Sequence, residues 1–332
     1  MKRAGLAADD VLPTLPHLAP PWPGRRVAVG DLAVHVRDTP ATSTAAEPAL
    51  YVHGLGGSSQ NWTDLAALLS PHLDGQAVDL PGFGRSDPTD RYTIGALAEW
   101  LIRWIEHSSR APLHLVGNSL GGTIAVKVAA TRPDLVRTLT LVSPALPFLD
   151  PRRTLQGQLL PLVAMPGARQ VAARMLAGIE PEDLTRRVME AIFADPQRVP
   201  DQRLAEAVEE MRLRYTVDHY IDAYLRTMRG LVASFLRAYL PGEGSLWQAA
   251  SGVAIPTLVI GGRQDRLVDT RVPPHAARLI PDSRLMVLDG VGHVAQMEAP
   301  RRVARAVVAL LAEVAGAAPA PAASRRRRSS RG

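Results

Sequence analysis

Two hydrophobic rhythms alternate along the chain. Short segments with apolar centres at Ala49–Val52, Gln76–Asp79, Leu113–Gly117, Thr138–Val142, Thr257–Ile260 and Arg284–Leu288 read as strands. Between them, Trp62–Leu69, Ile94–His107, Leu120–Thr131 and Arg301–Val314 repeat their apolar positions at helical spacing. Strands that are apolar on both faces need cover on both faces, so this succession predicts an α/β fold: a mostly parallel sheet flanked by helices. Ahead of it, Arg26–Val29 and Leu32–Val36 alternate in polarity around Gly30-Asp31 and predict a β-hairpin.

The strand rhythm stops between Pro144 and roughly Ala250. Helical stretches rich in Arg, Leu, Met and Tyr take over, broken by Pro161, Pro166, Pro181, Pro200 and Pro241. The expectation is a helical lid over residues 146–250, inserted into a core made of residues 25–145 and 251–315. Residues 1–24 carry Pro13, Pro16, Pro20, Pro21 and Pro23, which disfavour regular structure and predict an arm lying on the surface or left mobile, with the domain starting after it. The Ala/Pro/Ser/Arg composition of residues 316–332 predicts a disordered basic tail.

Composition narrows the chemistry. A chain of 332 residues with 46% hydrophobic content can bury a sizeable core. It has no cysteine, which removes disulfides, thiolate metal sites and a cysteine nucleophile. The net charge of +6 includes Arg325, Arg326, Arg327, Arg328 and Arg331 of the tail, so the folded body is near neutral and no nucleic-acid partner is expected. Met1–Leu12 has no apolar signal region before Asp9 and Asp10, and no apolar run reaches the length of a membrane span. The default expectation is a cytoplasmic protein without a transmembrane segment.

The segment Leu113 to Gly122 runs an apolar strand into Gly117-Asn118-Ser119-Leu120-Gly121 and then into a helix of small residues. That context is a nucleophile elbow, with Ser119 on a turn too tight for side chains two positions away on either side. The helix starting after Ser119 points its positive end and free N–H groups at a developing oxyanion. Earlier, His53-Gly54-Leu55-Gly56-Gly57 follows a strand with a glycine loop able to turn backbone N–H groups inward. His53 is expected to brace that loop and not to act as a base.

Four ordered motifs now coincide: His53-Gly54, Asp79 to Ser86, Gly117 to Gly122, and Gly292-His293. In them the chain resembles the α/β-hydrolase superfamily, in its lidded branch, over approximately residues 25–315. The resemblance implies oxyanion donors at the backbone N–H groups of Leu120 and Leu55, and loop-fixing roles for Asp79 and Ser86. For the acid, Asp265 follows the strand Thr257–Ile260 and can accept the histidine Nδ1–H; Asp269 is the second choice, and pairing of Asp265 with Arg263 or Arg266 is the structural alternative. Of nine histidines, His293 stands after the last strand between flexible positions, on Asp289-Gly290-Val291-Gly292-His293. The order Ser119, Asp265, His293 is that of this fold.

The mechanism expected is acyl transfer through Ser119, with His293 as base and Leu55 and Leu120 holding the oxyanion. No metal or organic cofactor is implied. The expected substrate is a small-molecule carboxylic ester of moderate hydrophobicity, with Leu159, Leu160, Met165 and Phe235 of the lid as apolar contacts or simply packing core. A carbon–carbon bond hydrolase of the meta-cleavage type is the enzymatic alternative, suggested by Asn118, Gly262 to Arg266 and Gly292 to Glu298. Against it, Val294 and Met297 stand where that group's resemblance leads one to expect tryptophan, and no one arginine of the lid can be picked out to bind a substrate carboxylate. A perhydrolase, or a non-catalytic binding protein on the same fold, completes the range.

Overall fold

The protein was analysed as a computed structural model that describes residues 1–15, 17–148, 150–158, 165 and 167–317. Its strands are β1 (Lys2–Arg3), β2 (Gly24–Val29), β3 (Leu32–Thr39), β4 (Glu47–Val52), β5 (Leu73–Val78), β6 (Leu113–Asn118), β7 (Val136–Val142), β8 (Thr257–Gly262) and β9 (Ser283–Leu288). They form one sheet in the order β1-β9-β8-β7-β6-β4-β5-β3-β2. From β1 across to β5 all neighbours are parallel, and β3 and β2 complete that edge as the expected antiparallel hairpin.

Side chains alternate across the sheet with the two-residue period of a strand. In β4, Leu50 and Val52 join the core layer on one face, while Ala49 and Tyr51 join the layer on the other. Helices α2 (Ile94–Ser108) and α3 (Leu120–Thr131) cover the first face; α1 (Thr63–Leu69) covers the second. In α2 the buried positions Ile94, Leu97, Ala98, Leu101, Trp104 and Ile105 fall three or four apart, forming one apolar stripe. Thr93 caps its start by accepting from Ala96 N at 3.2 Å.

Between β7 and β8 the chain forms α4 (Leu155–Gln158), α5 (Ala168–Leu176), α6 (Pro181–Ile192), α7 (Asp201–Thr216), α8 (Tyr220–Arg237) and α9 (Leu246–Ser251). The helical insertion is therefore present, but α9 belongs to the core: Leu246 and Ala250 are buried in the same layer as α3 and α10 (Val272–Leu279). The short α11 (Ala295–Glu298) and the long α12 (Pro300–Ala317) end the described chain, α12 on the α1 face. Leu159, Leu160, Pro161, Pro166 and the arginine-rich residues beyond Ala317 lie outside the described residues. No helix among the described residues is long and apolar enough to cross a membrane.

The amino-terminal arm lies on the surface, one of the two placements expected of it, but its first residues also join the sheet. Lys2–Arg3 add an edge strand to β9, with Lys2 opposite Arg284 and Arg3 opposite Leu285. Asp9 makes a bidentate pair with Arg301 at 2.9–3.0 Å, Arg305 Nε donates to Ala7 O at 2.7 Å, and Leu12 is 4% exposed in the α1 layer. Among the described residues the proline-bearing part of the arm, 13–23, carries no helix or strand, as its prolines predict, and the arm is fixed by hydrogen bonds to the body.

Leu101 is wholly buried between α2 and the sheet. Leu101→Ala should lower the unfolding free energy by about 3 kcal/mol, the usual cost of such a cavity. Chemical denaturation checks it; a loss under about 1 kcal/mol would mean this interface is not close-packed.

Candidate active site

Ser119 sits between β6 and α3 with φ 53° and ψ −117°, a conformation that costs a non-glycine residue energy and must be held by its surroundings. It is held from both sides: Ser119 N donates to Val142 O at 3.0 Å, and Ser119 O accepts from Thr123 N and Ala145 N, each at 3.0 Å. The flanking glycines are required for a reason slightly different from the one the sequence suggests. A Cβ on Gly121 would lie 2.2 Å from Val52 O and 2.6 Å from His53 O, and one on Gly117 would lie 2.5 Å from Gly121 O. The crowding is between backbone segments, not against the Ser119 side chain.

The same approach brings the loop after β4 onto the elbow: a Cβ on Gly54 would stand 3.1 Å from the Ser119 Cβ. Leu55 lines the cavity next to Ser119. Leu120 is the first residue of α3, so its N–H has no acceptor within the helix. Both expected backbone donors thus belong to segments that meet at Ser119.

His293 and Asp265 are brought together. His293 Nδ1 and Asp265 Oδ2 are 2.9 Å apart, with side chains 4% and 3% exposed. The other carboxylate oxygen accepts from Leu267 N at 2.9 Å and Val268 N at 3.0 Å, which fixes the acid's orientation. The alternatives are occupied elsewhere. Asp269 is gripped by Arg271, Arg263 pairs with Asp289, and Arg266 donates to Glu190 O at 2.8 Å. Asn118 Nδ2 donates to Val142 O at 3.1 Å and His293 O at 3.2 Å, tying the elbow to the histidine loop.

His53 braces its loop, as expected. Nδ1–H donates to Gly54 O at 2.7 Å while Nε2 accepts from Leu80 N at 2.9 Å, the bonding of a neutral imidazole. Burial, opposed by the Asp79 carboxylate, pushes its pKa down. Asp79 is fully buried and accepts from Ser59 N at 2.6 Å, Arg85 N at 2.9 Å and His35 Nδ1 at 2.9 Å. Burial acts to raise its pKa, but the His35 hydrogen bond and charge, aided by Ser59, win and bring it down to about 2. Ser86 Oγ donates to Asp79 O at 2.7 Å and accepts from His35 N at 2.9 Å, the loop-fixing part expected of it.

Ser119 and His293 open on one cavity of about 390 Å³, roofed by α6 and α7 of the insertion. Its apolar lining includes Val188, Met189, Ile192, Phe193 and Met211. Of the four lid residues singled out in the sequence, the two that are described do not line it: Met165 is 40% exposed, and Phe235 packs edge-on against Phe148 in the main core. Val294 and Met297 pack on Met189 and Phe193, so the positions beside His293 form the joint with the insertion. Glu298 strengthens that joint, its carboxylate accepting from Gly292 N at 2.6 Å, Ala194 N at 3.1 Å and Asp195 N at 3.2 Å.

Sequence reasoning missed Glu298 as an organiser, and it missed the polar end of the cavity. There Glu210 is buried with Oε1 on Arg85 at 2.6 Å and Oε2 unpartnered. Arg214 also lines the cavity, stacked 5.7 Å from the Tyr220 ring, with its Nε unpartnered. Their i, i+4 spacing on α7 puts the two charges side by side, a signal that was present in the sequence but indistinguishable from a solvated helix face.

The parallel sheet, the serine elbow after β6 and the acid and histidine loops after β8 and β9 define an α/β-type hydrolase architecture. The model of the alpha/beta hydrolase fold family matches residues 48–300, and the chain belongs to that family. It is 29% identical over 265 residues to the dihydrolipoyllysine-residue acetyltransferase component of an acetoin cleaving system from Pseudomonas putida, covering 80% of this chain but only 63% of that protein. It is 27% identical over 271 residues to monoacylglycerol lipase ABHD6 of Rattus norvegicus, covering 80% of this chain and 75% of the relative. Among solved structures, the 2-hydroxy-6-oxo-6-phenylhexa-2,4-dienoate hydrolase of Rhodococcus sp. strain RHA1 shares the fold with a TM-score of 0.67 at 22% identity, over 89% of this chain and 99% of that one.

The depressed Asp79 pKa sets a pH dependence. A carboxyl whose folded pKa lies below its unfolded value stabilises the fold above the unfolded value and loses that contribution as pH falls, here between about pH 4 and pH 2. Asp79→Asn should be less stable than wild type at pH 7 and close much of that gap by pH 3. Urea midpoints at the two pH values measure it, and a constant gap would refute the linkage.

Proposed function

We propose that the protein is a serine hydrolase cleaving carboxylic esters of moderately hydrophobic substrates through an acyl-enzyme on Ser119. The observation that carries this reading is the 2.9 Å contact of His293 Nδ1 with a backbone-anchored Asp265, on the cavity that Ser119 shares. With Asp265 holding Nδ1–H, His293 presents Nε2 as the base. It takes the Ser119 proton as Oγ attacks the ester carbonyl, and the Leu55 and Leu120 N–H groups hold the oxyanion. Collapse expels the alcohol, which receives that proton from His293. Water, deprotonated by His293, then attacks the acyl group, releasing the carboxylic acid and restoring Ser119. Each step uses this chain's own groups. The lipase relative is in keeping with the reading.

A second reading, carbon–carbon bond cleavage of a meta-cleavage dienoate, gains one specific observation. Arg214 is a cavity arginine with an unpartnered Nε, the kind of group such a substrate's carboxylate would need. Glu210 one turn away opposes an anion at that place, and the ester reading is therefore preferred.

Ser119→Ala should remove p-nitrophenyl butyrate turnover by about a thousandfold or more and abolish labelling by a fluorophosphonate, with the far-UV circular dichroism spectrum unchanged. Retention of more than a few per cent of activity would remove Ser119 from the chemistry. Between the two readings, kcat/KM should favour p-nitrophenyl esters of short to medium chain over 2-hydroxy-6-oxo-dienoates. The opposite ranking, lost on Arg214→Met, would establish the second reading.

A further inference from the structure

The segment of residues 13–23 places two leucines among prolines, a composition that cannot build a core of its own. It is anchored at both ends. On the amino-terminal side Leu12 is buried and Val11 O accepts from His72 Nε2 at 3.0 Å; on the other, Arg37 donates to Trp22 O. Between the anchors it is stitched to α7: Gln202 Nε2 donates to Leu18 O at 3.3 Å and Arg203 Nη2 to Ala19 O at 2.8 Å. Arg203 is itself fixed, 11% exposed and bound to Asp64 of α1 at 2.6 Å.

The consequence is that Leu15 and Leu18 line the same cavity as Ser119 and His293, together with Leu68, Pro200 and Pro300. They are 39% and 37% exposed, apolar side chains held at the rim by a stitched backbone and only half covered by protein. Apolar surface fixed in place beside an apolar cavity gains by being covered, at little further cost in chain entropy.

We propose that the amino-terminal strap is the outer wall of the substrate site, and that Leu15 and Leu18 receive the distal methylenes of an aliphatic chain and so set chain-length preference. The proposal rests on the ester-hydrolase reading for the reaction, but the wall itself is a binding site whose occupancy can be read without turnover. The substrate class is an ester with an unbranched alkyl chain long enough to extend from Ser119 to the strap.

The test compares wild type with Leu15→Ala/Leu18→Ala in two measurements. In turnover, the ratio of kcat/KM for p-nitrophenyl decanoate over acetate should fall about tenfold in the double variant. In binding, calorimetric titration of straight-chain alkanols from butanol to decanol into Ser119→Ala protein should show affinity rising by up to about fourfold per methylene with the native strap, and a rise that stops at a shorter alkanol when both leucines are alanine. Gln202→Ala, which loosens the strap without touching its leucines, should move both series the same way by a smaller factor. If no ester is turned over but the alkanol series still depends on Leu15 and Leu18, the ester reading fails and the wall stands. If the alkanol series is the same with and without the two leucines, the wall is overturned whatever the turnover shows.

Discussion

The backbone of α3 comes so close to the end of β4 that even a methyl group on Gly121 would overlap two carbonyl oxygens, and the organisation of the site follows from that contact. Because β4 and β6 are paired neighbours, the loop after one lies beside the elbow after the other, and the close approach turns that adjacency into contact between Gly54 and Ser119. A longer side chain at position 121 would push the helix outward and separate the two N–H donors proposed to act together. Further along the sheet the same logic holds at lower density. Asp265 follows β8 and His293 follows β9, so two adjacent parallel strands deliver the hydrogen-bonded pair to one end of the sheet.

A buried polar layer keeps this arrangement rigid. Asp79 accepts from three donors while wholly excluded from water, which is tolerable for a charge only because each bond is charge-assisted and the donors are fixed in place. His53 reports the result: bonded at both nitrogens and disfavoured as a cation by burial, it serves as a strut under the Gly54 loop. The strained backbone of Ser119 is sustained by this layer, by its own N–H donating to Val142 O, and by the N–H groups of Thr123 and Ala145 donating to its carbonyl.

What could be read from the sequence was whatever is encoded within a few residues. The elbow, the His53 loop and the His293 loop are each a strand end joined to a turn with glycine at fixed offsets, and the structure places them where that local code puts them. The sheet was legible because its central strands are apolar on both faces. Asp265 and Asp269 were both acceptable until packing gave one to His293 and the other to Arg271. Phe235 could not be assigned to cavity or core because an amphipathic helix shows its apolar stripe but not what that stripe faces. The edge strand at Lys2–Arg3 is two charged residues long and has no period to detect; its bonds and its pairing with Glu313 and Asp282 exist only once β9 and α12 are in place.

The joint at Glu298 has a mechanical consequence. His293 N donates to Ile192 O at 2.7 Å, and one carboxylate binds backbone N–H groups of both the histidine loop and the segment after α6. Lifting the insertion at that place would strip hydrogen bonds from the same loop that aims the imidazole, so this side of the roof is welded shut. The seating of the insertion and the aim of the imidazole are thereby one mechanical property, since whatever displaces the end of α6 displaces the histidine loop with it.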